Sequence, residues 1–312
     1  MAMTGYRAGL ISGTLAMAFV GSSAAVSPLL TSYPVLTGQA WRYAAAALLL
    51  LGYLWLRRLP WVRVGRSDWA RLALLAATGL AAFNVCLLQA ARYTDPPVLG
   101  AIVGAAPLVL AITGPLLAGR RPSLLVATSA VIVLVGVGTV LGGGQFSLPG
   151  VLWSLGALAG ECLFSLLAVP LLPRLGPVRL SAYTCALAGV MLAGTALLIE
   201  RGRVATAPTG TEALSLAFLA VVVTALAFAL WYAAVGSLGV DRAGLLTGIV
   251  PVAATLIAVW IGTATLSVQV LIGAMVVGAG VSLGMLPSRR RRGGGLAGRE
   301  EQRPASRTVS AG

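Results

Sequence analysis

The sequence predicts an all-α integral membrane protein with ten transmembrane helices, arranged as two inverted five-helix repeats. Three observations support this prediction. The chain is 58% hydrophobic and 10% charged, with a mean hydropathy of +0.95. Its apolar residues form ten runs of about 20 residues, the length that a hydrocarbon core of ~30 Å requires. One stretch also recurs at a fixed offset of 144 positions. Soluble domains are about 45–50% apolar and about 25% charged, so lipid is the natural solvent for this chain.

The ten apolar runs are separated by short connections rich in Pro, Gly and Arg. The first run resembles a signal peptide, but nine similar runs follow, so we interpret it as a span. The last stretch has four consecutive arginines and little to bury, which predicts a disordered tail. The predicted spans are 8–26, 36–56, 69–91, 97–117, 123–141, 149–171, 179–199, 212–235, 243–263 and 266–286.

The recurring stretch covers residues 86–107 and 230–251. At the fixed offset Gly100 meets Gly244 and Pro107 meets Pro251, which indicates an internal duplication. We therefore predict two five-helix domains, 1–143 and 144–287, followed by an Arg-rich cytoplasmic tail at 288–312. Because each half has an odd number of spans, the halves enter the membrane from opposite sides. Inverted repeats of this kind are typical of secondary transporters, with the substrate site near the midplane between the halves.

The arginines define an expected orientation, because loops rich in basic residues stay in the cytoplasm. The connections on one side of the membrane hold most of the arginines, whereas the connections on the other side hold only Arg92, Arg201 and Arg203. We therefore expect a multi-pass protein of the cytoplasmic membrane with both termini in the cytoplasm. The Arg-rich set is Arg7, Arg57, Arg58, Arg63, Arg66, Arg71, Arg120, Arg121, Arg174, Arg179, Arg242 and the tail from Arg289 onward.

Composition also disfavours several functions. The chain has no histidine, and its three cysteines lie in apolar runs without metal-ligand spacing, so we expect no metal and no cofactor. The loop acids are scattered singly, and no Gly-rich Lys-Ser/Thr phosphate loop occurs, which argues against an enzyme or a nucleotide-driven pump. Membrane topology explains the net charge of +14 better than nucleic-acid binding does. The expected partners are a small-molecule substrate and the lipid bilayer, with a homodimer kept as an option.

Glu161 is the only acid well inside a predicted span, near the bilayer centre. A charge there costs about 2.5–3.5 kcal/mol, so such residues usually face a cavity or a partner. Ser154 and Ser165 share its helical stripe. We interpret this stripe as part of a cavity for substrate or coupling ion; the alternative is a protonated Glu161 that only links helices.

Further polar and aromatic side chains extend the predicted cavity: Asn84, Thr224, Trp231 and Tyr232. Trp and Tyr near a span end also fit an interfacial belt, which is the alternative for Trp231. Arg42 is the only base well inside a span, and we interpret it as a structural charge that extends towards the interface.

Pro107 and Pro251 each remove a backbone hydrogen bond within a span. We interpret them as helix breaks that act as hinges, with a static kink as the alternative. The glycines three and seven residues earlier in each half are four residues apart, a spacing that favours close helix packing.

The chain resembles the EamA-type drug/metabolite transporters. FVGSSAAVS at 19–27 and WRYAAAALLL at 41–50 are similar to the first-span and second-span patterns of that family, and the paired prolines stand where each half usually has one. The resemblance implies two five-helix halves around a central cavity and export of amino acids, other metabolites or drugs. Coupling to protons is the further expectation. The alternatives are a membrane-embedded lipid-modifying enzyme and a non-transporting membrane scaffold.

Overall fold

The structure is a computed structural model that describes residues 2–60, 62–142, 144–145, 147–262 and 267–286. These residues form helices and turns without a strand. The predicted tail at 288–312 lies outside the described residues. The long helices are α1 Ala2–Gly21, α2 Val35–Leu56, α3 Arg66–Ala90, α4 Pro96–Val103 and Ala106–Leu117, α5 Leu124–Leu141, α6 Leu148–Leu166, α7 Leu172–Ile199, α8 Gly210–Leu238, α9 Val240–Trp260 and α10 Val268–Gly284.

Seven of these helices, α3 to α9, are long and apolar enough to cross a membrane, and α10 is a shorter apolar helix. Large apolar side chains also cover the outside of the bundle: Leu48 is 71% exposed, Trp55 74% and Trp260 86%. Contact with water on this scale would be unfavourable, whereas lipid tails accept it. The protein is therefore a multi-pass membrane protein, as the composition predicts.

Several helix ends have clear local causes. Ser147 begins α6 by accepting a hydrogen bond from the Gly150 amide at 3.3 Å. Thr209 and Glu212 form a capping box at the start of α8, which satisfies two free backbone donors. Gly142, at φ 75°, ends α5 in the left-handed region that glycine adopts without strain.

The connection between α6 and α7 differs from the prediction. Helix α6 ends at Leu166 rather than at 171, shortly before Pro170, and the residue before a proline is disfavoured in a helix. Helix α7 begins earlier than predicted, at Leu172, but Gly176 interrupts it with φ 69° and ψ 167°. A short leading segment at 172–175 is therefore set at an angle to the rest of α7.

The two halves repeat their irregularities as well as their helices. Helices α5 and α10 begin at Leu124 and Val268, 144 positions apart, and each follows a serine. A π-helical stretch at Ala77–Ala82 in α3 corresponds to Leu219–Leu226 in α8. The interruption of α4 at 104–105 corresponds to a 3₁₀ turn at Leu246–Gly248 in α9.

Contacts between the halves occur in pairs that are related by the same offset of 144 positions. Helix α1 packs against α8 and α6 against α3, while α2 packs against α7 and α5 against α10. A Cβ added to Gly136 would lie 2.7 Å from the Val277 amide nitrogen, and one added to Gly280 would lie 2.9 Å from that of Val133. These reciprocal contacts allow close backbone approach, and the space left between α1, α2, α3, α6 and α8 forms the cavity described next.

Candidate functional site

A cavity of about 540 Å³ lies between the two halves. Its lining comes from α1, α2, α3, α6, α8 and α9 and from the connection between α1 and α2. The exposed residues Ser27, Thr31 and Val35 line one end, so the cavity opens where α1 ends and α2 begins. Most of the wall is apolar, and two charged residues, Arg42 and Glu161, also line it.

Glu161 lies on α6, five residues before that helix ends, on the cavity wall remote from the mouth. Its side chain is partly accessible from the cavity. Within the described ranges its carboxylate has neither a hydrogen bond nor an ion pair. A carboxylate without a partner inside a membrane protein is costly, and such groups are usually functional.

Arg42 lies on α2, and neighbouring side chains fix its guanidinium group. Its Nε donates to Thr224 Oγ1 of α8 at 2.5 Å, and its Nη1 donates to Gln39 Oε1 at 3.2 Å. The Thr224 hydroxyl in turn donates to the Leu219 carbonyl at 2.9 Å, inside the π-helical stretch of α8. The Arg42 guanidinium carbon also lies 5.3 Å from the centre of the Tyr43 ring, close enough for a cation–π contact.

A row of aromatic rings connects the two charged positions. The ring centres of Tyr43 and Phe228 are 6.2 Å apart, and those of Phe228 and Phe164 are 4.8 Å apart. Phe164 follows Glu161 by almost one helical turn, and Tyr43 follows Arg42 directly. The charges therefore lie at the two ends of an aromatic wall, and they do not form an ion pair with each other.

Asn84 and Trp231 also reach the cavity. The Asn84 amide donates to the Tyr43 hydroxyl at 3.1 Å and to the Leu80 carbonyl at 2.7 Å. The Trp231 indole N–H donates to Ser165 Oγ at 3.2 Å. Both side chains are thus held in place by α2, α3 and α6.

The other predicted cavity residues lie behind its wall. Ser154, Ser165, Thr224 and Tyr232 are fully buried and do not line it. Ser154 donates to the Gly150 carbonyl at 2.7 Å, and Thr224 supports Arg42. The Tyr232 ring stacks on Phe164 at 5.0 Å, and its hydroxyl has no hydrogen-bond partner in the described part of the chain.

Pro107 and Pro251 lie just after the two helix interruptions. Pro107 is in the first turn of Ala106–Leu117, and Pro251 is the third residue of Ile249–Trp260. Neither proline lines the cavity, but Val250 does. Their role as hinges stays a prediction.

The duplicated halves contribute different charges to the cavity. The position equivalent to Arg42 is Ala186, and the position equivalent to Glu161 is Met17. Each π-helical stretch contacts the charge-bearing helix of the other half: Ala77–Ala82 packs on α6, and Leu219–Leu226 packs on α2. A Cβ added to Gly79 would lie 2.8 Å from Phe164 Cα. The cavity therefore needs both halves.

Cross-half contacts join the protein at the end opposite the mouth. Asp68 at the start of α3 is buried and pairs with Arg174 in the leading segment of α7. Arg71 Nη1 lies 3.7 Å from the same carboxylate. Arg179 Nη2 donates to the Pro60 carbonyl at 2.7 Å. These contacts bind the 57–65 connection to the second half.

Sequence reasoning places Phe228 on one face with Thr224 and Trp231, but it missed Tyr43, Phe164 and Gln39. All three carried a usable signal, because each lies one to three residues from an intramembrane charge. The described residues contain no group of three acidic or cysteine side chains that could hold a metal ion.

Known proteins match this chain over nearly its full length. The model of the EamA-like transporter family matches residues 7–142 and again residues 148–286. The "Uncharacterized transporter YetK" of Bacillus subtilis (strain 168) is 26% identical over 255 residues, which cover 79% of this chain and 77% of that protein. A solved crystal structure matches with a TM-score of 0.79 and 20% identity, covering 89% of this chain and 96% of its own. At that identity the structural match shows the fold alone.

Proposed function

The chain belongs to the EamA-like transporter family, and we propose that it is a secondary transporter that exports small metabolites or drugs through the cavity between its halves. The observation that supports this most directly is the unpaired Glu161 carboxylate on the wall of that cavity. The name of the Bacillus subtilis relative, an uncharacterized transporter, agrees with the proposal of a transporter.

In this proposal all ten helices cross the membrane as two inverted repeats, with domain limits at 143/144 and 287/288. Helices α1, α2 and α10 pack along α8, α7 and α5, which are each long and apolar enough to cross it. Matched irregularities at an offset of 144 positions support the duplication, as do the two successive matches of one family model.

The proposed orientation places the closed end of the cavity in the cytoplasm. The 57–65 connection and the leading segment of α7, which meet there, carry Arg57, Arg58, Arg63 and Arg174, and basic connections stay in the cytoplasm. Both termini are then cytoplasmic, and the cavity opens to the outside. Export requires the opposite state, in which the Asp68–Arg174 contact separates and the outer mouth closes.

Glu161 is the proposed coupling group, because the described residues that line the cavity include no other acid. It takes a proton while the cavity faces outward and releases it to the cytoplasm after the change of access. The titratable groups that interact electrostatically with Glu161 are Tyr43 of α2, Tyr232 of α8 and the adjacent Cys162 of α6, while Arg42 lies at the other end of the aromatic wall. Proton entry down its gradient then drives substrate outward.

The test is transport by purified protein in vesicles, with and without an imposed pH step. The panel contains amino acids, purines and cationic dyes. We expect transport of at least one class by the wild type, and loss of its pH-driven part in Glu161→Gln, which keeps the size and shape of the side chain but cannot ionise. Asp95→Asn, which removes an exposed acid outside the cavity, is the matched control and should transport like the wild type.

Two results would contradict the proposal. Equal transport by Glu161→Gln and the wild type in both conditions would leave Glu161 without a coupling role. No movement of any panel compound by folded wild-type protein would contradict the transporter itself.

A further inference from the structure

A second concavity lies on the outer surface of the bundle, between α2 of the first half and α7 of the second half. This α2–α7 groove is formed by one face of residues 37–51 and one face of residues 186–196, and Val204 lies at its end. Its volume is about 500 Å³. It shares no lining residue with the cavity between the halves, so α2 presents opposite faces to the two sites.

Small side chains produce the groove. Ala40, Ala44 and Ala47 recur on α2 at a spacing of three or four residues, which places them on one helical face. Gly189 of α7 faces them, and a Cβ added there would lie 3.2 Å from the Ala44 amide nitrogen. The two backbones therefore approach closely, and the floor of the groove is apolar.

Large side chains form the rims of the groove: Trp41 is 61% exposed, Leu48 71% and Val190 74%. A helix with its side chains is about 10–12 Å across and would meet these rims before it reached the floor. A chain of methylene groups is narrow enough to lie between them. Along α2 the groove extends for about 21 Å, which is more than one leaflet of a hydrocarbon core of ~30 Å. The groove therefore has the shape and the chemistry of a site for a lipid acyl chain.

Basic side chains stand at the end of the groove where Thr37 and Val204 lie. Arg201 and Arg203 are both exposed and precede Val204 by three residues and one residue. Arg203 donates to the Ser32 carbonyl at 3.0 Å. Within the described ranges neither arginine forms an ion pair, and the Arg201 side chain makes no hydrogen bond.

The neighbouring acid, Glu200, is already bound to α2. Its carboxylate accepts hydrogen bonds from the amides of Leu36 and Thr37 at 2.8 and 2.9 Å, and from the Thr37 hydroxyl at 2.6 Å. It therefore balances the positive end of the α2 dipole. The connections on this side of the membrane otherwise contain only one arginine, Arg92. Two guanidinium groups thus remain for an anion at the membrane surface.

We infer that the α2–α7 groove binds an anionic phospholipid, with one acyl chain in the groove and the phosphate at Arg201 and Arg203. Trp41, about one helical turn from Thr37, supplies an indole ring at the depth of the lipid headgroups. The inference does not depend on the proposed transport function, because it needs only a protein that spans a membrane. Since α2 and α7 belong to different halves, the bound lipid stabilises the contact between them.

A second copy of the chain fits the groove less well than a lipid. In a two-fold dimer whose axis follows the membrane normal, equivalent residues of the two copies lie at the same depth. A dimer through this groove would bring Arg201 and Arg203 of both copies towards each other. Like charges repel, whereas a phosphate group attracts both arginines.

The test measures lipid binding to purified, delipidated full-length protein in a neutral detergent by native mass spectrometry. Dioleoylphosphatidylglycerol and dioleoylphosphatidylcholine are the probes, because they share their acyl chains and differ in net charge. We expect the wild type to bind the anionic lipid at least about tenfold more tightly, since two basic residues meet its headgroup. The anionic lipid should also raise the melting temperature more than the zwitterionic one. Glycerol 3-phosphate, a headgroup without chains, should not compete.

The first variant removes the charges at the end of the groove. Arg201→Gly combined with Arg203→Gln should bind both lipids equally, with unchanged affinity for the zwitterionic one. Glycine suits position 201, because Arg201 has a φ of 42°, which glycine adopts without strain. Arg92→Gln is the control, since Arg92 is exposed and lies outside the groove. It should keep the preference of the wild type.

The second variant fills the groove. Ala193→Leu adds three carbon atoms at an exposed lining position and should weaken binding of both lipids severalfold. Gly194→Leu is the matched control, because Gly194 is exposed, lies outside the groove and has nothing within 4 Å of an added Cβ. If Ala193→Leu does not fold, phosphatidylglycerol with brominated acyl chains replaces it as a quencher of tryptophan fluorescence. At one lipid per protein, Trp41→Phe should then lower the quenched fraction.

Several results would overturn the inference. Equal affinity of the wild type for both lipids, or a preference that the arginine variant keeps, would remove the charged end from the site. Unchanged binding by Ala193→Leu, an unchanged quenched fraction in Trp41→Phe, or competition by glycerol 3-phosphate would show that an anion binds without the groove. A lipid-free dimer that Ala193→Leu dissociates would assign the groove to a second copy of the chain.

Discussion

Asp68 of the first half pairs with Arg174 of the second half, and the carboxylate of this pair is only 6% exposed. The contact lies at the end of the bundle opposite the cavity mouth. At the offset of 144 positions, Asp68 corresponds to Glu212 at the other end of the bundle. Glu212 has a weaker contact there, because it accepts a hydrogen bond at 3.1 Å from the neutral Ser32. At these equivalent positions the closed end has a charged pair and the open end a neutral donor. Other hydrogen bonds also join the halves at the open end, including those that the Glu200 carboxylate accepts from Leu36 and Thr37.

Removal of this ion pair should open the closed end. Arg174→Gln leaves the buried Asp68 carboxylate without its close partner, which favours separation of the two halves there. The reporter is a maleimide reacting with Ser181→Cys, a fully buried position on α7 seven residues after Arg174, in a background without the three native cysteines. We expect severalfold faster labelling than in the background that keeps Arg174.

Two further variants test whether the ion pair itself keeps this end of the bundle closed. Exchange of the charges, Asp68→Arg with Arg174→Asp, should restore slow labelling. Arg71→Gln, which removes the more distant arginine at 3.7 Å, should label slowly as well. Fast labelling of the exchanged pair would show that the ion pair does not hold this end closed.

The proposed orientation predicts which connections are reachable from outside the cell. Ala207 and Gly65 are both exposed, in the α7–α8 and α2–α3 connections. A cysteine at Ala207 should react with an impermeant maleimide in intact cells, and a cysteine at Gly65 should react only after permeabilisation. The opposite pattern would reverse the orientation and place the cavity mouth in the cytoplasm.

Tyr232→Phe should leave the stability of the protein unchanged or raise it. The Tyr232 hydroxyl is buried and makes no hydrogen bond of good geometry among the described residues, because the nearby Thr184 hydroxyl donates to the Leu180 carbonyl. An unsatisfied buried group costs about 1–3 kcal/mol. The ring itself, stacked on Phe164, is retained. The measurement is the apparent melting temperature in detergent.

Tyr43→Phe is the comparison variant, because it removes the acceptor of the Asn84 amide. It should lower the melting temperature. A larger loss for Tyr232→Phe than for Tyr43→Phe would mean that the Tyr232 hydroxyl has a partner.

Gly79→Ala should destabilise the contact between α3 and α6. The added methyl group would lie 2.8 Å from Phe164 Cα, where backbone has to shift, and overpacking of this kind costs about 1–3 kcal/mol. Gly52→Ala on α2 is the matched control, since nothing lies within 4 Å of its added methyl group. Alanine there should be neutral or stabilising, because it is the better helix former. Equal melting temperatures for both variants would contradict the close approach at Gly79.

The sequence predicts the membrane class and the family correctly, because both follow from features that are local in sequence. Apolar runs, the Gly and Pro matches at one offset, and the WRY motif at 41–43 need no tertiary information. The signal for the first residues of α5 and α10 is equally local in sequence, since a serine precedes each helix. The leading segment of α7 and its break at Gly176 are less accessible, because the sequence predicts residues 172–178 as a connection, and Gly and Pro there are compatible with a loop as well as with a kink between helical segments.

The site depends on information that the sequence does not contain. The partner of Arg42 is Thr224, 182 positions away, and this contact follows from how α2 and α8 are rotated against each other. The π-helical stretch at Leu219–Leu226 changes that rotation within α8, and no residue pattern indicated it. Ser154 and Ser165 share a stripe with Glu161, yet the helix is turned so that only Glu161 reaches the cavity.

The unequal residues at equivalent positions have one more consequence. Arg42 corresponds to Ala186 and Glu161 to Met17, so each half supplies one charge and leaves the matching place neutral. A symmetric dimer of two identical five-helix chains would hold every side chain twice, hence two guanidinium groups or two carboxylates that repel each other. Joining the copies in a single polypeptide allows each copy to diverge, so this cavity holds one guanidinium group and one carboxylate instead of two of each.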